Sequence, residues 1–345
     1  AANEPVAERT MALTRRIAIT MPMSNRLEDN IQLVQWAEAN GYHDAWFSDA
    51  ASPDSLTMLA ALGTYIRRMR VGCAVTPVYT RAPSVLAATA NVLGQVYPGR
   101  FVMGLGSSSE AIMTRFNGIP LERPLTRVKE TAIIVRHMLT GERTDFDLET
   151  LASNGYRQAP MDNPPPLYLA ALRPKMIEMA AEYGDGVVFN LWPKKALPKM
   201  MEHVRIGAAR AGKDWEDIEI VNRKVVLVTG DKQEGYSRFR AGYAPYYANP
   251  VYNRFLAWSG YEDAARELTE GWANRDRART AAAFSEDLIN EIALIGSAEE
   301  VRDGIREDAD AGIHTHIIAP ITPVDAIHPE ARATFSAFTG DRFSF

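Results

Sequence analysis

The chain has few of the residues that form covalent cross-links and metal sites. Its 345 residues include a single cysteine, Cys73, so no disulfide can form within the chain. Of the six histidines, only His314 and His316 stand close together, and that spacing is weak evidence for metal ligation. We therefore expect no metal. We interpret Cys73 as a small buried core residue rather than a nucleophile, because no histidine is obviously paired with it.

Long apolar runs and basic runs are also missing. No apolar stretch reaches the roughly 20 residues that a membrane-spanning helix requires. The formal net charge is −5, from 38 basic and 43 acidic residues, which disfavours nucleic acid as a partner. Arg15-Arg16 precedes only a short apolar run, so we reject an export signal. We expect a cytoplasmic protein that acts on a small molecule, without a membrane or nucleic-acid partner.

Apolar runs alternate with amphipathic helical patterns along most of the chain. Eight runs predict strands, at 15–22, 43–49, 68–75, 100–106, 166–172, 186–192, 218–230 and 314–321. Runs without polar alternation are typical of parallel strands buried on both faces. Eight such units predict an α/β fold, the (β/α)8 TIM barrel. The competing architecture, a doubly wound open sheet, prefers a glycine-rich turn after the first strand, where MPMSNR stands instead.

We assign the length beyond a barrel of about 250 residues to a tail and two insertions within one domain, 1–345. The tail is 1–14, and the first insertion, 144–166, is an excursion with a possible hairpin. The second, 233–296, contains no strand-like run and is rich in aromatic residues, which predicts a helical segment. This segment is a candidate lid or substrate wall, or alternatively a packing surface or the contact of a homodimer.

Functional residues of a TIM barrel lie at the carboxyl ends of its strands, and three of these ends carry candidates. Asp49 ends the second strand and is a candidate catalytic carboxylate, whereas Asp54 is typical of a helix N-cap. GLGSSS (104–109) is either an anion-binding loop or a glycine turn with a serine cap. AALRPK (170–175) either lets a ligand approach the backbone beside two positive charges or is a solvated helix start.

Taken together, these stretches resemble a known family. RVGCAVTPVYTRAPSVLAATANVLGQVYPGRFVMGLGSSS (70–109) is similar to the luciferase-like flavin and deazaflavin oxidoreductases. The similarity continues in order through FNGIPLERPLTRVKE (116–130), PPLYLAALRPKMIEMAAEYGDGVVFNLWP (165–193) and IALIGSAEEVRDGI (292–305). The pattern is closest to the branch that uses coenzyme F420, an 8-hydroxy-5-deazaflavin. The resemblance implies a bacterial-luciferase-like barrel that transfers a hydride between the deazaflavin C5 and a small organic substrate. The alternatives are an FMN-dependent monooxygenase and a flavin- or deazaflavin-binding protein without turnover.

The resemblance also implies which residues contact the cofactor. A non-prolyl cis peptide at Ala74-Val75 would back the deazaflavin ring, and the positive charges near 173–175 would meet its acidic tail. The implied cofactor contacts are Asp49, Ala74, Val75, Thr76, Gly106, Ser107, Ser108, Ala170, Ala171, Leu172, Arg173 and Lys175. The candidate substrate contacts are Tyr79, Asn190 and Trp192.

One position departs from the pattern of that branch. Several F420 enzymes of the family carry histidine directly after the aspartate of the second strand, but here the residue is Ala50. A proton donor inherited from that motif is therefore absent. Asp49, Tyr79, Asn190 or the substrate itself would have to take its place, with Asp49 as the candidate catalytic residue.

Overall fold

A closed ring of eight parallel strands forms the centre of the computed structural model, which describes residues 13–50, 52–322 and 328–345. Numbered in chain order, the twelve strands are β1 (Arg16–Met21), β2 (Asp44–Phe47), β3 (Arg70–Cys73), β4 (Thr76–Pro77), β5 (Phe101–Gly106), β6 (Asp145–Asp147), β7 (Ala152–Asn154), β8 (Leu167–Ala170), β9 (Gly186–Asn190), β10 (Glu219–Val228), β11 (Ala293–Gly296) and β12 (Thr315–Pro320). The ring runs β1-β2-β3-β5-β8-β9-β10-β12 and closes because β12 pairs with β1. The predicted TIM barrel is confirmed, and each of the eight predicted strands contributes one ring strand. Most of the predicted tail lies outside the described residues.

Helices cover the outside of the barrel and build the second insertion. They are α1 (Leu27–Ala39), α2 (Ser55–Ala61), α3 (Pro83–Val96), α4 (Pro124–Leu139), α5 (Pro174–Tyr183), α6 (Leu197–Arg210), α7 (Lys232–Ala248), α8 (Pro250–Trp258), α9 (Glu262–Ala273), α10 (Arg277–Ala283), α11 (Glu286–Ile292), α12 (Ala298–Asp310) and α13 (Pro329–Ser336). Asp54 caps α2 as predicted, because its carboxylate accepts a hydrogen bond from the backbone N–H of Thr57. None of the helices in the described ranges is long and apolar enough to cross a membrane.

The two insertions differ in how closely they follow the sequence prediction. The first contains the expected hairpin, in which β6 and β7 pair antiparallel. The second is helical from α7 to α11, but the expectation that it contains no strand is wrong. Its last four residues form β11, which pairs with Val225–Val228 of β10. The strand was missed because it follows α11 without a turn residue and its partner lies about 70 residues earlier in the chain.

Side chains that alternate along the ring strands fill the barrel below its carboxyl end. The middle of the interior is an apolar layer of Ala18, Trp46, Val102, Tyr168, Val188, Val221 and Ile317. Residues two positions further along the same strands face the same interior, at the mouth of the barrel. Because the middle layer is packed, a ligand can enter the interior only above it. The mouth is therefore where a functional site is expected.

The amino end of the barrel is closed by buried charges. Four side chains form this basal ion cluster, namely Arg16, Asp44, Arg70 and Glu219. The Arg70 guanidinium lies 2.7 Å from a carboxylate oxygen of Asp44 and 2.7 Å from one of Glu219. Burial alone would raise the pKa of Glu219, but hydrogen bonds and charge from Arg70 lower it to about 2. The cluster therefore ties together four strands, β1, β2, β3 and β10, that are far apart in sequence.

Candidate active site at the barrel mouth

A short irregular segment after β3 forms one wall of the mouth. The Ala74–Val75 peptide is cis, as the resemblance implied. The chain then rejoins the sheet, where β4 pairs with Leu105 and Gly106 of β5. Ala74 and Val75 are half-buried and pack against the apolar middle layer of the barrel. The segment thus presents two small apolar side chains to the mouth.

Strand β5 lacks side chains where this wall crosses it. A Cβ on Gly106 would lie 2.5 Å from Val75 Cγ2 and 3.3 Å from Ala170 Cβ. A Cβ on Gly104 would lie 1.7 Å from the carbonyl oxygen of Cys73, which no neighbouring shift could relieve. Both positions therefore require glycine for the wall to pack down onto β5. Ala74, Val75 and Ala170 together form an apolar surface, called here the cradle.

The GLGSSS segment contains the serine cap that one of its two sequence interpretations predicts. Ser109 acts as a local cap, since its hydroxyl accepts a hydrogen bond from the backbone N–H of Ile112. Ser107 and Ser108 are half-buried beside the cradle, and Ser108 has the unusual positive φ of 63°. Thr76 is fully buried, and its hydroxyl has no hydrogen-bond partner within the described ranges. Ser107 and Ser108 are thus polar side chains at this edge that remain partly open to solvent.

The start of α5 brings positive charge to the mouth. Arg173 is the N-cap residue and makes no side-chain cap, while Lys175 is exposed in the first turn. Neither side chain makes an ion pair with any described residue. The N–H of Ala171 donates to the carbonyl of Val188 at 3.1 Å, so this amide serves the sheet rather than a ligand. A helix N-terminus with two unpaired cations favours an anion there.

Asp49 lies beside the cradle in an ion pair that the sequence did not reveal. Its carboxylate is 3.0 Å from Arg81 Nη1 and accepts a hydrogen bond of 3.2 Å from the Ser55 hydroxyl. Arg81 also pairs with Asp54, the α2 cap. The charge of Asp49 is therefore compensated, and its orientation is fixed by two partners. In the sequence, Arg81 is a lone arginine between Pro77 and Pro83. Nothing in that position indicates a partner, and only the fold brings it to Asp49.

The three predicted substrate contacts have different fates. Asn190 is half-buried at the end of β9 and faces the mouth, where its Nδ2 donates to the Tyr252 hydroxyl at 3.0 Å. The Tyr79 hydroxyl donates to the carbonyl of Glu122, so this residue anchors the approach to α4. Trp192 is only 1% exposed, and its indole donates to Asn222 Oδ1 at 2.9 Å.

Trp192 is therefore a core residue, and its placement in the substrate pocket is corrected. The reason is the backbone of Leu191, whose φ of 52° breaks the strand alternation and turns the next side chain outward. Cys73 is likewise buried in the core, and burial raises the pKa of its thiol to about 12. It has no nucleophilic character in this environment.

Two other cavities do not compete with the mouth as the active site. One of about 260 Å³ lies at the amino ends of β1 and β2 and is lined by Arg15 and His43. The other, of about 390 Å³, lies beside the β6–β7 hairpin, lined by Arg143 and Asp145. Both lie away from the carboxyl ends of the strands, where barrel chemistry takes place.

Known proteins share this architecture along nearly the whole chain. The chain is 28% identical over 297 residues to 5,10-methylenetetrahydromethanopterin reductase of Archaeoglobus fulgidus, with 84% of this chain and 89% of that one covered. It is 25% identical over 317 residues to a putative coenzyme F420-dependent oxidoreductase of Mycobacterium tuberculosis, covering 84% and 90%. The coenzyme F420-dependent tetrahydromethanopterin reductase of Methanopyrus kandleri has a TM-score of 0.76 at 20% identity, covering 94% and 97%.

The match at family level is equally extensive. Residues 9–315 match the family model described as luciferase-like monooxygenase. This range includes the cradle, the GLGSSS segment, the start of α5 and the second insertion. The chain therefore belongs to the luciferase-like monooxygenase family.

Proposed function

We propose that the protein is a coenzyme F420-dependent oxidoreductase that transfers a hydride between C5 of the deazaflavin and a small organic substrate. The observation that carries this proposal is the cradle, an apolar surface at the barrel mouth made possible by the absence of side chains at Gly104 and Gly106. A planar tricyclic ring suits such a surface. The F420-dependent relative at 25% identity supports this cofactor for the present chain.

When bound, the deazaflavin supplies a carbon centre that gives or accepts a hydride. The protein's own residues would orient the ring and exclude water from one of its faces. Ala74, Val75 and Ala170 would cover that face, because they line the cradle. Arg173 and Lys175 would compensate the negative charge of the phosphate and the acidic tail. Because the chain has a net charge of −5, such a positive environment can only be local.

Asp49 would act at the polar edge of the ring, held in place by Arg81. Its compensated carboxylate can accept a hydrogen bond and hold a proton that the reaction moves, a role made more important by Ala50. Asp54 pairs with the same arginine but has its side chain 41% exposed, against 9% for Asp49. The two carboxylates thus offer a matched pair of variants.

The Asp49→Asn variant should lose at least about 100-fold in kcat while its affinity for F420 changes less than threefold. The amide keeps the size of the side chain but cannot hold the proton. The measurement is bleaching of F420 absorbance, with a substrate first identified by screening the wild-type protein. Asp54→Asn is the control and should retain most activity. A fully active Asp49→Asn enzyme would exclude this residue from catalysis.

The cofactor itself is tested by fluorescence titration of the purified protein with F420 and, separately, with FMN. We expect F420 to bind at least about tenfold tighter, since FMN lacks the acidic tail that Arg173 and Lys175 would meet. An Arg173→Ser/Lys175→Ser variant should lose most of that preference. Arg67→Ser, which removes an exposed charge before β3 at the other end of the barrel, should leave both affinities unchanged.

The outcomes of this titration separate the candidate functions. A preference for FMN would assign the protein to the second candidate, an FMN-dependent monooxygenase, which the description of the matching family favours. Tight binding of F420 without reduction by any substrate would indicate a deazaflavin-binding protein without turnover. Tight F420 binding followed by substrate-dependent bleaching is the result that supports the proposal.

A further inference from the structure

Arg223 is a cation at the barrel mouth that neither the sequence motifs nor the proposed cofactor contacts include. It lies on β10, two residues after Val221 of the apolar middle layer, so its side chain faces the barrel interior. Its register partner on β9 is Asn190, whose side chain faces the same way. The two side chains are therefore neighbours at the mouth.

The guanidinium of Arg223 has no anionic partner in the part of the chain that the structure describes. It makes no ion pair there, its Nε is buried without a partner, and the hydroxyl of Tyr243, a neutral group, lies within hydrogen-bonding reach of the guanidinium. Arg70, two layers deeper in the same barrel, is by contrast held by Asp44 and Glu219. The adjacent Lys224, on the outer face of β10, is paired with Asp308 at 2.9 Å. Arg223 is thus an exception, an inward-facing arginine without an anionic partner. Because buried polar groups are normally paired, we expect a ligand to supply that partner.

Other polar groups at the mouth are oriented toward the same space. Asn190 Oδ1 is buried without a partner, while Nδ2 of the same amide donates to the Tyr252 hydroxyl. The amide can turn over, so that Tyr252 donates to it and Nδ2 faces the open space beside Arg223. The residues of this mouth cation site are Asn190, Arg223, Tyr243 and Tyr252. Two of them come from α7 and α8, so the second insertion contributes directly to the site.

The tyrosines of the site are hydrogen-bond donors at neutral pH. Burial raises the pKa of both phenols, that of Tyr252 to about 12, and the nearby charge of Arg223 acts in the opposite direction. Their rings also pack within an aromatic group, with the Tyr252 ring centroid 5.8 Å from that of Tyr247. A ligand here meets cationic and hydroxyl donors set among aromatic faces.

The topology of the ring places this site opposite the cradle. The wall that bears Ala74 and Val75 follows β3, and β10 lies four strands further around the eight-stranded ring. A ring lying on the cradle would therefore turn its uncovered face toward Arg223. A substrate bound against that face would have its far end at the mouth cation site.

We propose that the mouth cation site binds a carboxylate of the substrate, which is then an organic acid with an apolar or aromatic body. The inference deepens the proposed function and rests on it, because the bound acid is a substrate only if the protein is that enzyme. Binding of the anion itself can be measured independently. Arginine suits a carboxylate because its planar fork offers two parallel donors. The surrounding tyrosine rings favour an apolar body rather than a sugar or an inorganic anion.

The test uses benzoate and benzamide, which have the same ring and differ in the carboxylate. Both are titrated by calorimetry into the full-length protein, without cofactor and with saturating F420. We expect benzoate to bind at least tenfold tighter than benzamide, and Arg223→Met to weaken benzoate at least tenfold without affecting benzamide or F420. Arg67→Met, a charge removed from the opposite end of the barrel, should change nothing. Arg223→Lys should give an intermediate loss, because it keeps the charge without the fork.

Several results would overturn the inference. Absence of benzoate binding to the wild-type protein would show that the open donors serve water alone. An equal loss of F420 and benzoate affinity in Arg223→Met would assign the cation to the cofactor. Tighter binding of inorganic phosphate than of benzoate would mean that the site recognises a phosphate ester rather than a carboxylate. Asp325 lies outside the described residues, and a large gain in benzoate affinity in Asp325→Asn would mean that this carboxylate already neutralises Arg223.

Failure of the proposed function gives a different pattern. A protein that binds benzoate through Arg223 but does not bind F420 would retain the anion site and lose the deazaflavin assignment. A protein that binds F420 tightly and ignores benzoate would retain the cofactor and lose the anion site. Thermal unfolding of each variant shows whether it is folded, so that a lost affinity is not confused with a lost fold.

Discussion

Replacing Gly106 with alanine should weaken F420 binding at least about 100-fold, which is roughly 2.7 kcal/mol, while the barrel stays folded. The new Cβ would lie 2.5 Å from Val75 Cγ2 and 3.3 Å from the Ala170 methyl group. Val75 is half-buried and can yield only by moving up into the mouth, where the ring would lie. The variant therefore fills the cradle from beneath. Gly104 is not an equivalent target, because its Cβ would collide with the backbone carbonyl of Cys73.

The control for this prediction is a second substitution that removes the collision with the new Cβ. A Gly106→Ala/Val75→Ala double variant removes the methyl groups that the new Cβ displaces, so most of the lost affinity should return. Val75→Ala alone should cost little, since a smaller side chain leaves the cradle open. Fluorescence titration with F420 gives the affinities, and circular dichroism verifies the fold. Wild-type affinity in the Gly106→Ala variant would mean that the ring does not lie on this surface, and a double variant without recovery would mean that the collision is not the cause.

The features that sequence reasoning predicted here depend on local patterns. Each ring strand is a short apolar run, each outer helix has its own apolar face, and the order of the two predicts a barrel and its mouth. The positions of Asp49, Gly106 and Ala170 follow from that order alone, because they end strands. The resemblance to known proteins added the cis peptide, which no local pattern distinguishes from an ordinary strand end at Pro77.

The features that were missed depend on contacts between distant parts of the chain. Arg81 reaches Asp49 across 32 positions, and Tyr252 of the second insertion reaches Asn190 across 62. Neither contact can be predicted from the spacing of the residues in the sequence. Trp192 was misplaced for a local reason, since the positive φ of Leu191 reverses the face of the following side chain. Part of the mouth is therefore contributed by residues, such as Arg81 and Tyr252, whose role appears only in three dimensions.

The Arg70→Met variant should destabilise the protein by about 3–5 kcal/mol at neutral pH, the usual cost of removing one partner of a buried ion pair. Methionine fills a similar volume, so the loss reflects charge rather than a cavity. Two carboxylates, those of Asp44 and Glu219, would be left in the barrel interior with only Arg16 as a cation. The measurement is urea unfolding, with Arg67→Met as the matched surface control, expected to change stability by less than about 0.5 kcal/mol.

The pH dependence of this loss separates an electrostatic role from packing. The folded-state pKa of Glu219 is about 2 against an ordinary value of 4.5, so its contribution to stability is present above about pH 4.5 and is lost as the pH falls toward 2. Without Arg70, burial raises the pKa of Glu219, and the variant can protonate this carboxyl at mildly acidic pH instead of keeping a buried charge. The difference in unfolding free energy between wild type and variant should therefore be largest at pH 7 and shrink below about pH 4.5. An equal difference at pH 3.5 and pH 7 would mean that Arg70 stabilises the barrel by filling space, and that the charges at its amino end are incidental.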